Sequence, residues 1–260
     1  PDARRKPRRV VIQLMPAPFS QNWVSNIRTL AKARWYDGIA IVRVQDNYVT
    51  QWGDPNGEDA GKAKKLPAGL LPTREEDYAH RRSLPVDARL GPLFWPRNDV
   101  SRFAGFVGGI PFAGSGWPDS VAQWPVHCYG GVGVGRGMSP DAGTGAELYT
   151  VIGHAPRHLD RNIAVVGRVI EGMEHLSSLP RGTGPLGFYE TAGERTSIVS
   201  VRLASDLPAA ERPHFQSLAT GSDSFLRYAD ARANRRDPFF ITPADGADIC
   251  NIPVPVRRKP

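Results

Sequence analysis

Cysteine is nearly absent from this sequence: Cys128 and Cys250 are the only two in 260 residues. No Cys-x-x-Cys spacing exists, which removes a zinc module or a dithiol redox motif. The pair leaves two readings open, a single long-range disulfide in an oxidising compartment or two buried free thiols. Long hydrophobic runs are missing as well. No stretch reaches the about 18 apolar residues of a membrane-spanning helix, so no membrane insertion is expected. No apolar segment follows the basic opening Arg4-Arg5-Lys6-Pro7-Arg8-Arg9, so no signal peptide is read there. The chain does not begin with Met, and trimming of a targeting segment would explain that. Together with the basic charge and the disulfide option, this points to a bacterial periplasm or secretion.

The formal charge is +7 and the pI about 9.7. Much of the excess lies in two terminal runs, 4–9 and Arg257-Arg258-Lys259. Terminal basic runs of this kind read as solvated tails. No basic face interleaved with aromatics is seen, so nucleic acid is not an expected partner.

What the chain has in quantity is turn-forming residues, 27 Gly and 24 Pro. They favour many short elements over long helices. Val10–Met15 has the length and apolarity of a strand, ended by Pro16 and Pro18. Behind a candidate N-cap, Ser20, the residues Trp23, Ile27, Leu30 and Ala31 recur at helical spacing. That helix is expected to stop near Tyr36-Asp37-Gly38. Ile39–Val44 and Tyr48–Trp52 read as strands around an Asp46-Asn47 turn.

From 56 to about 128 the pattern dissolves into Gly, Pro and charge. A short helical candidate at 74–82 and an apolar patch at 103–110 stand out there. Strands return at 131–135, 147–152, 162–170 and 196–203, with a short helix at 173–179. Many short strands with few helices imply a barrel or sandwich. The tail from 206 holds one amphipathic helix candidate, 222–236, and an extended end at 252–256. It is expected to form an arm that covers its apolar residues against the barrel.

Three motif-like features are set aside. The glycines of Gly131–Gly137 are followed by Met138-Ser139-Pro140, which cannot open a nucleotide-binding helix. His154 and His158 are four apart, but Pro156 between them spoils a helical metal pair. Gly114-Ser115-Gly116 is not a nucleophile elbow.

The order of segments resembles a cyclophilin, the family of peptidyl-prolyl cis-trans isomerases. The resemblance rests on Asn26-Ile27 in the first helix, Tyr36-Asp37-Gly38, the apolar-Arg-apolar strand around Arg43, and Gln51-x-Gly53-Asp54-Pro55. It continues with Ala146-Glu147-Leu148-Tyr149, His158-Leu159-Asp160-Arg161-Asn162 and Val165–Met173. It covers residues 10–55 and 129–203. The resemblance implies a mainly β fold, an eight-stranded antiparallel barrel capped by two helices. The domain so implied spans 1–205, with a long insertion at 56–128 and a C-terminal extension at 206–260.

The resemblance also implies an isomerase of X-Pro bonds in client proteins that needs no cofactor or metal and is expected to act as a monomer. Arg43 matches the catalytic Arg of the family, and alternation puts it on the Ile39/Ile41 side of its strand. Gln51 matches a groove Gln. Tyr48, Val49 and Tyr149 stand at apolar pocket positions, and Leu159 matches directly. His158 replaces a Trp, Ile163 a His, and Glu147 a Gln. Gly137 and Met138 fall near a site where main-chain groups clasp the peptide. With the Arg and Gln kept and the periphery changed, activity is expected to be modest. A peptide-binding or chaperone-like module with little turnover is the alternative.

Overall fold

Short apolar runs separated by Gly and Pro gain most by pairing with one another, since each run alone leaves a full row of backbone groups unbonded. The computed structural model describes residues 8–81, 101–116 and 121–259. Its strands are β1 (Val11–Leu14), β2 (Ala40–Val44), β3 (Val49–Gly53), β4 (Phe103–Val107), β5 (Ile110–Ser115) and β6 (Ala122–Pro125). The remainder are β7 (Gly131–Val134), β8 (Leu148–Val151), β9 (Val165–Glu171), β10 (Thr196–Ser197), β11 (Phe215–Ser217) and β12 (Val256–Arg258). The helices are α1 (Gln21–Lys32), α2 (Met173–Ser177) and α3 (Asp223–Ala233). Most of the basic run at 4–9 and the end of the 74–82 candidate lie outside the described residues. Within that candidate, Glu75–Tyr78 forms one 3-10 turn.

The chain divides into two compact units, Pro1–Tyr78 with His127–Arg212, and Ala79–Val126 with Pro213–Pro260. The expected division at 205 with one insertion at 56–128 therefore changes. Residues 56–78 belong with the large sheet, and 79–126 cluster with the tail. Partners that meet across such sequence distances leave no local composition signal, which is why a linear reading misses the grouping.

The first unit is built on a curled antiparallel sheet in the order β1-β9-β7-β8-β3-β2-β10. The mainly β architecture is as expected, but among the described residues this sheet has seven strands, not eight. Its last strand is also much shorter than the expected 196–203. Thr196 and Ser197 pair with Ile41 and Ala40, and Ile198 still exchanges bonds with Gly38 and Ile39. Beyond that point the Asp37 carboxylate accepts from the Val201 N–H at 3.4 Å and from the Arg202 guanidinium at 2.6 Å. A side chain thus replaces the backbone partner, and the ladder ends.

Helix α1 turns Trp23, Ile27, Leu30 and Ala31 into the core of this unit, where they meet Ile39, Ile41, Val44, Trp52, Val132 and Val134. Leu176 of α2 joins the same core. The Trp23 indole N–H donates to the carbonyls of Ala142 (3.0 Å) and Gly143 (2.9 Å), so a large, fully buried side chain also satisfies a loop. The helix stops at Lys32, before the expected Gly38. Arg34 takes the left-handed conformation (φ 55°), and the Trp35 N–H returns to the Leu30 carbonyl. Ser20 does stand at the N-cap, but in a left-handed conformation and without a side-chain cap bond.

In the second unit, β4, β5 and β6 form a three-stranded antiparallel sheet and β11 pairs with β12. The patch at 103–110 is a hairpin. Gly108 and Gly109 sit at its turn with φ of 57° and 79°, conformations that favour Gly at both positions. Phe106, Phe112, Trp124, Phe225, Ile249 and Ile252 are all at most 2% exposed. Phe106 meets Phe225 of α3 edge to face at 5.0 Å. The Ser222 hydroxyl accepts from the Phe225 N–H and caps this helix, close to its expected bounds. Cys128 and Cys250 are both disulfide-bonded, which resolves the choice that the sequence left open.

Candidate active site on the outer sheet face

Strand β2 carries a bulge. Ile41 faces Trp52 and Arg43 faces Gln51, with the register shifting between Ile41 and Arg43. Residues opposite each other across a pair share a face, and one inserted residue reverses it. Trp52, Ile41 and Val44 line the core. Arg43 therefore faces the other side with Gln51, and the expectation that it shares a side with Ile39 and Ile41 is corrected. The bulge brings a guanidinium out of the core while Ile41 and Val44 stay packed in it.

On that outer face a linear chain of polar groups forms. Arg43 Nη1 donates to Gln51 Oε1 at 3.0 Å, and Gln51 Nε2 donates to Glu147 Oε1. A glutamine is the residue that can accept from a cation and donate to a carboxylate at once. Arg43 also donates from Nη2 to Gln45 Oε1 and from Nε to the Leu186 carbonyl at 2.7 Å. Its guanidinium lies 5.7 Å from the Tyr48 ring centre and 5.2 Å from that of Phe188. Burial holds the Arg43 pKa below its ordinary value, against the opposing pull of Tyr48 and Glu147. Burial raises that of Glu147, and the Gln51 bond and the Arg43 charge only partly offset it.

Beside this chain lies a small apolar cluster of Val49, Tyr149 and Val151, with Tyr48, Leu159 and Ile163 packed against it. Val49 and Tyr149 are 2% and 4% exposed, so the surface open to a ligand belongs to Tyr48, Leu159 and Ile163. His158 stacks on Tyr48 at 5.8 Å, and its Nε2 is 3.3 Å from the Tyr48 hydroxyl. Gly137 and Met138 are not part of this constellation. Their loop is closed on itself, with the Gly137 N–H donating to Asp141 and Arg136 donating to the Gly137 carbonyl. Met138 is 89% exposed.

The sequence reading missed a buried set behind the cluster. The Asp160 carboxylate accepts from the His127 backbone N–H at 3.1 Å, from His127 Nδ1 at 2.9 Å and from Arg157 Nε at 2.6 Å. On the other side of the ring, His127 Nε2 is hydrogen-bonded to the Tyr149 hydroxyl, 2.8 Å away. Burial raises the Asp160 pKa, but the His127 and Arg157 contacts outweigh it and leave the carboxyl below its ordinary range. His127 and Asp160 are separated by too many residues for any spacing signal.

Tyr149 can lie flat because Gly133 sits opposite it in β7. A Cβ at Gly133 would fall 2.3 Å from the Tyr149 ring and hydroxyl. Gly133→Ala is expected to displace the ring and lower the melting temperature, at a cost of about 1–3 kcal/mol typical of overpacking. Thermal melts of the two proteins check this; an unchanged midpoint would mean that the ring has room to move.

Among the described residues no group of three or more His, Cys, Asp or Glu could hold a metal ion, and no helix is long and apolar enough to cross a membrane. A curated relative from Synechocystis, named as a thylakoid lumen peptidyl-prolyl cis-trans isomerase, is 23% identical over 182 residues. That alignment covers 68% of this chain and 42% of the relative, so this chain spans less than half of the relative's length. The crystal structure of the cyclophilin AquaCyp293 from Hirschia baltica superposes with a TM-score of 0.71 at 23% identity, covering 96% of this chain and 86% of that one. The family model for "Cyclophilin type peptidyl-prolyl cis-trans isomerase/CLD" matches residues 5–202. With the greater part of its length under that model, the chain belongs to the cyclophilin-type peptidyl-prolyl cis-trans isomerase family.

Proposed function

We propose that this chain accelerates cis-trans rotation of X-Pro bonds in protein substrates, with Arg43 as the catalytic residue on the outer face of its sheet. The observation that carries the reading is the half-buried Arg43 guanidinium, fixed by Gln51 beside an apolar cluster. Rotation about an X-Pro bond is opposed by amide resonance, with a barrier of about 20 kcal/mol. Lowering it requires a group that binds the twisted amide better than either planar form. A guanidinium has five N–H donors and stays charged. Three nitrogens of Arg43 already donate within the protein, which holds the plane and leaves two N–H bonds to direct at the prolyl amide. Gln51 and Glu147 orient that plane. Tyr48, Leu159 and Ile163 supply apolar walls for the proline ring, with Val49 and Tyr149 beneath them, and His158 closes one side through its stack on Tyr48.

The chemistry calls for no cofactor. The partners are proline-containing segments of client proteins, met by a monomer. Gly137 and Met138 would contribute only if their loop opened its internal bonds. The thylakoid lumen name of the Synechocystis relative supports a location outside the cytoplasm, periplasmic or secreted.

The internal donation from all three Arg43 nitrogens favours one second reading, a peptide-binding module whose arginine turns over slowly. Prolyl isomerisation of short X-Pro peptides separates the two. A rate clearly above the thermal one supports the isomerase. Peptide affinity with no rate above background, across several X residues, supports the binding module and sinks the isomerase.

A further inference from the structure

The Gly182–Tyr189 segment runs alongside β2. The Gly182 N–H donates to the Val44 carbonyl and the Tyr189 N–H to the Val42 carbonyl, each at 2.9 Å, and Phe188 bridges to Arg43. At its tip Pro185, Leu186, Gly187 and Phe188 make a turn in which Leu186 (φ 56°) and Gly187 (φ 80°) are both left-handed. The turn presses on the strand: a Cβ on Gly187 would lie 2.7 Å from the Gln45 Cα. Asn or Gly is the residue that fits the first left-handed position at least cost. Leucine there works against the local preference. The result is a carbonyl aimed at Arg43 Nε and a side chain 67% exposed, with the Phe188 ring beside it 40% exposed over the guanidinium. A local choice that opposes its backbone, at a site candidate, is where a functional demand is expected.

We propose that Leu186 and Phe188 form a specificity wall, which selects substrates carrying a large apolar residue next to the proline. The inference rests on Arg43 being the centre at which X-Pro bonds are bound. A peptide laid on the apolar cluster beside Arg43 carries its flanking residue past this turn. There the two exposed side chains offer an apolar surface, continuous with the Arg43 cation. An apolar flanking side chain removes that surface from water; an acidic or small one does not. Because the Leu186 carbonyl also holds Arg43, the wall and the catalytic group move as one.

The test compares kcat/KM for paired peptides that differ only in the residue before or after proline, Phe against Ala, in the wild type, Leu186→Asn and Phe188→Ser. Asn keeps the left-handed turn and its carbonyl. The Phe-over-Ala ratio at one flanking position is expected to fall by about fivefold or more in each variant, within the range for a partial apolar contact. Circular dichroism and a thermal melt establish that each variant is folded, and Phe188→Leu is expected to restore part of the ratio. A ratio unchanged in folded Leu186→Asn and Phe188→Ser, with an active wild type, overturns the wall while leaving the isomerase reading intact. If the wild type binds these peptides without turnover, the same ratio is read from affinities, and an unchanged value again overturns the wall. A wild type that neither turns over nor binds them overturns both.

Discussion

Arg43→Ala is expected to abolish most of the proposed prolyl isomerase activity while leaving the fold intact. The residue lies on the outer face of β2, and its removal leaves the Gln51 amide and the Leu186 carbonyl within reach of water, so little stability is lost. The catalytic loss is larger. Removing one preorganised donor from a charge-stabilising site costs about 10²–10³ in kcat, and Arg43 is the cation that donates to Gln51. Kinetics on one X-Pro peptide, with melting temperature and circular dichroism as controls, measure both effects. Arg43→Lys separates charge from geometry. It keeps the cation but loses the planar fork that reaches Gln51, Gln45 and Leu186 together, so only partial recovery is expected. Full activity in a folded Arg43→Ala protein would move the chemistry away from this face altogether.

The largest stability effect is expected at Asp160. Asp160→Ala takes the acceptor from His127 Nδ1, from the His127 backbone N–H and from Arg157 Nε. His127 is 1% and Arg157 10% exposed at the side chain. Breaking a buried charged pair from one side costs about 3–5 kcal/mol, because the remaining cation stays desolvated. Denaturant unfolding followed by tryptophan fluorescence reads this as a lower midpoint. A loss under about 1 kcal/mol, the scale of an exposed pair, would show that water reaches Arg157 readily. The same carboxylate gives a pH dependence of definite sign. Its folded pKa lies below the ordinary 3.8, so its contribution is complete above that value. As pH falls further, towards the lower folded pKa, the contribution is lost. Asp160→Asn should flatten this acid limb of the stability curve.

Much of the large sheet was legible because its strands are short apolar runs bounded by turn residues: β2, β3, β8 and β9 lie where the runs lie. The polarity of Arg43 marked it within such a run, and its partner Gln51 followed from the resemblance. The face that Arg43 occupies was not legible. Strict alternation assigns it to the core side, and a bulge leaves no mark in composition. The hairpin at 103–115 was legible in principle, since Gly108-Gly109 stand between two β-rich runs, but the proline at 111 and the small residues obscured it. The strand at 196–203 was overextended because Ile198, Val201 and Leu203 have strand-like character and do pack against the core, while Asp37 takes over the backbone bonds. His127, Leu186 and Phe188 were missed for a different reason. Their roles come from contacts across long sequence gaps, and nothing in the residue types or local spacing encodes those contacts.

The interleaving of the two units along the chain imposes an order on synthesis. Emerging from the ribosome, β4, β5 and β6 appear well before α3, whose Phe225 meets Phe106. By the time α3 is translated, every strand of the large sheet, including β10, has already been made. The outer face that holds Arg43 can therefore assemble while the nascent chain is still growing. Phe106 waits for its ring partner until Phe225 is translated, and domains generally fold as units in the order they become complete. In the interval when the second sheet is made and α3 is not, transiently exposed apolar surface and unpaired strand edges favour aggregation.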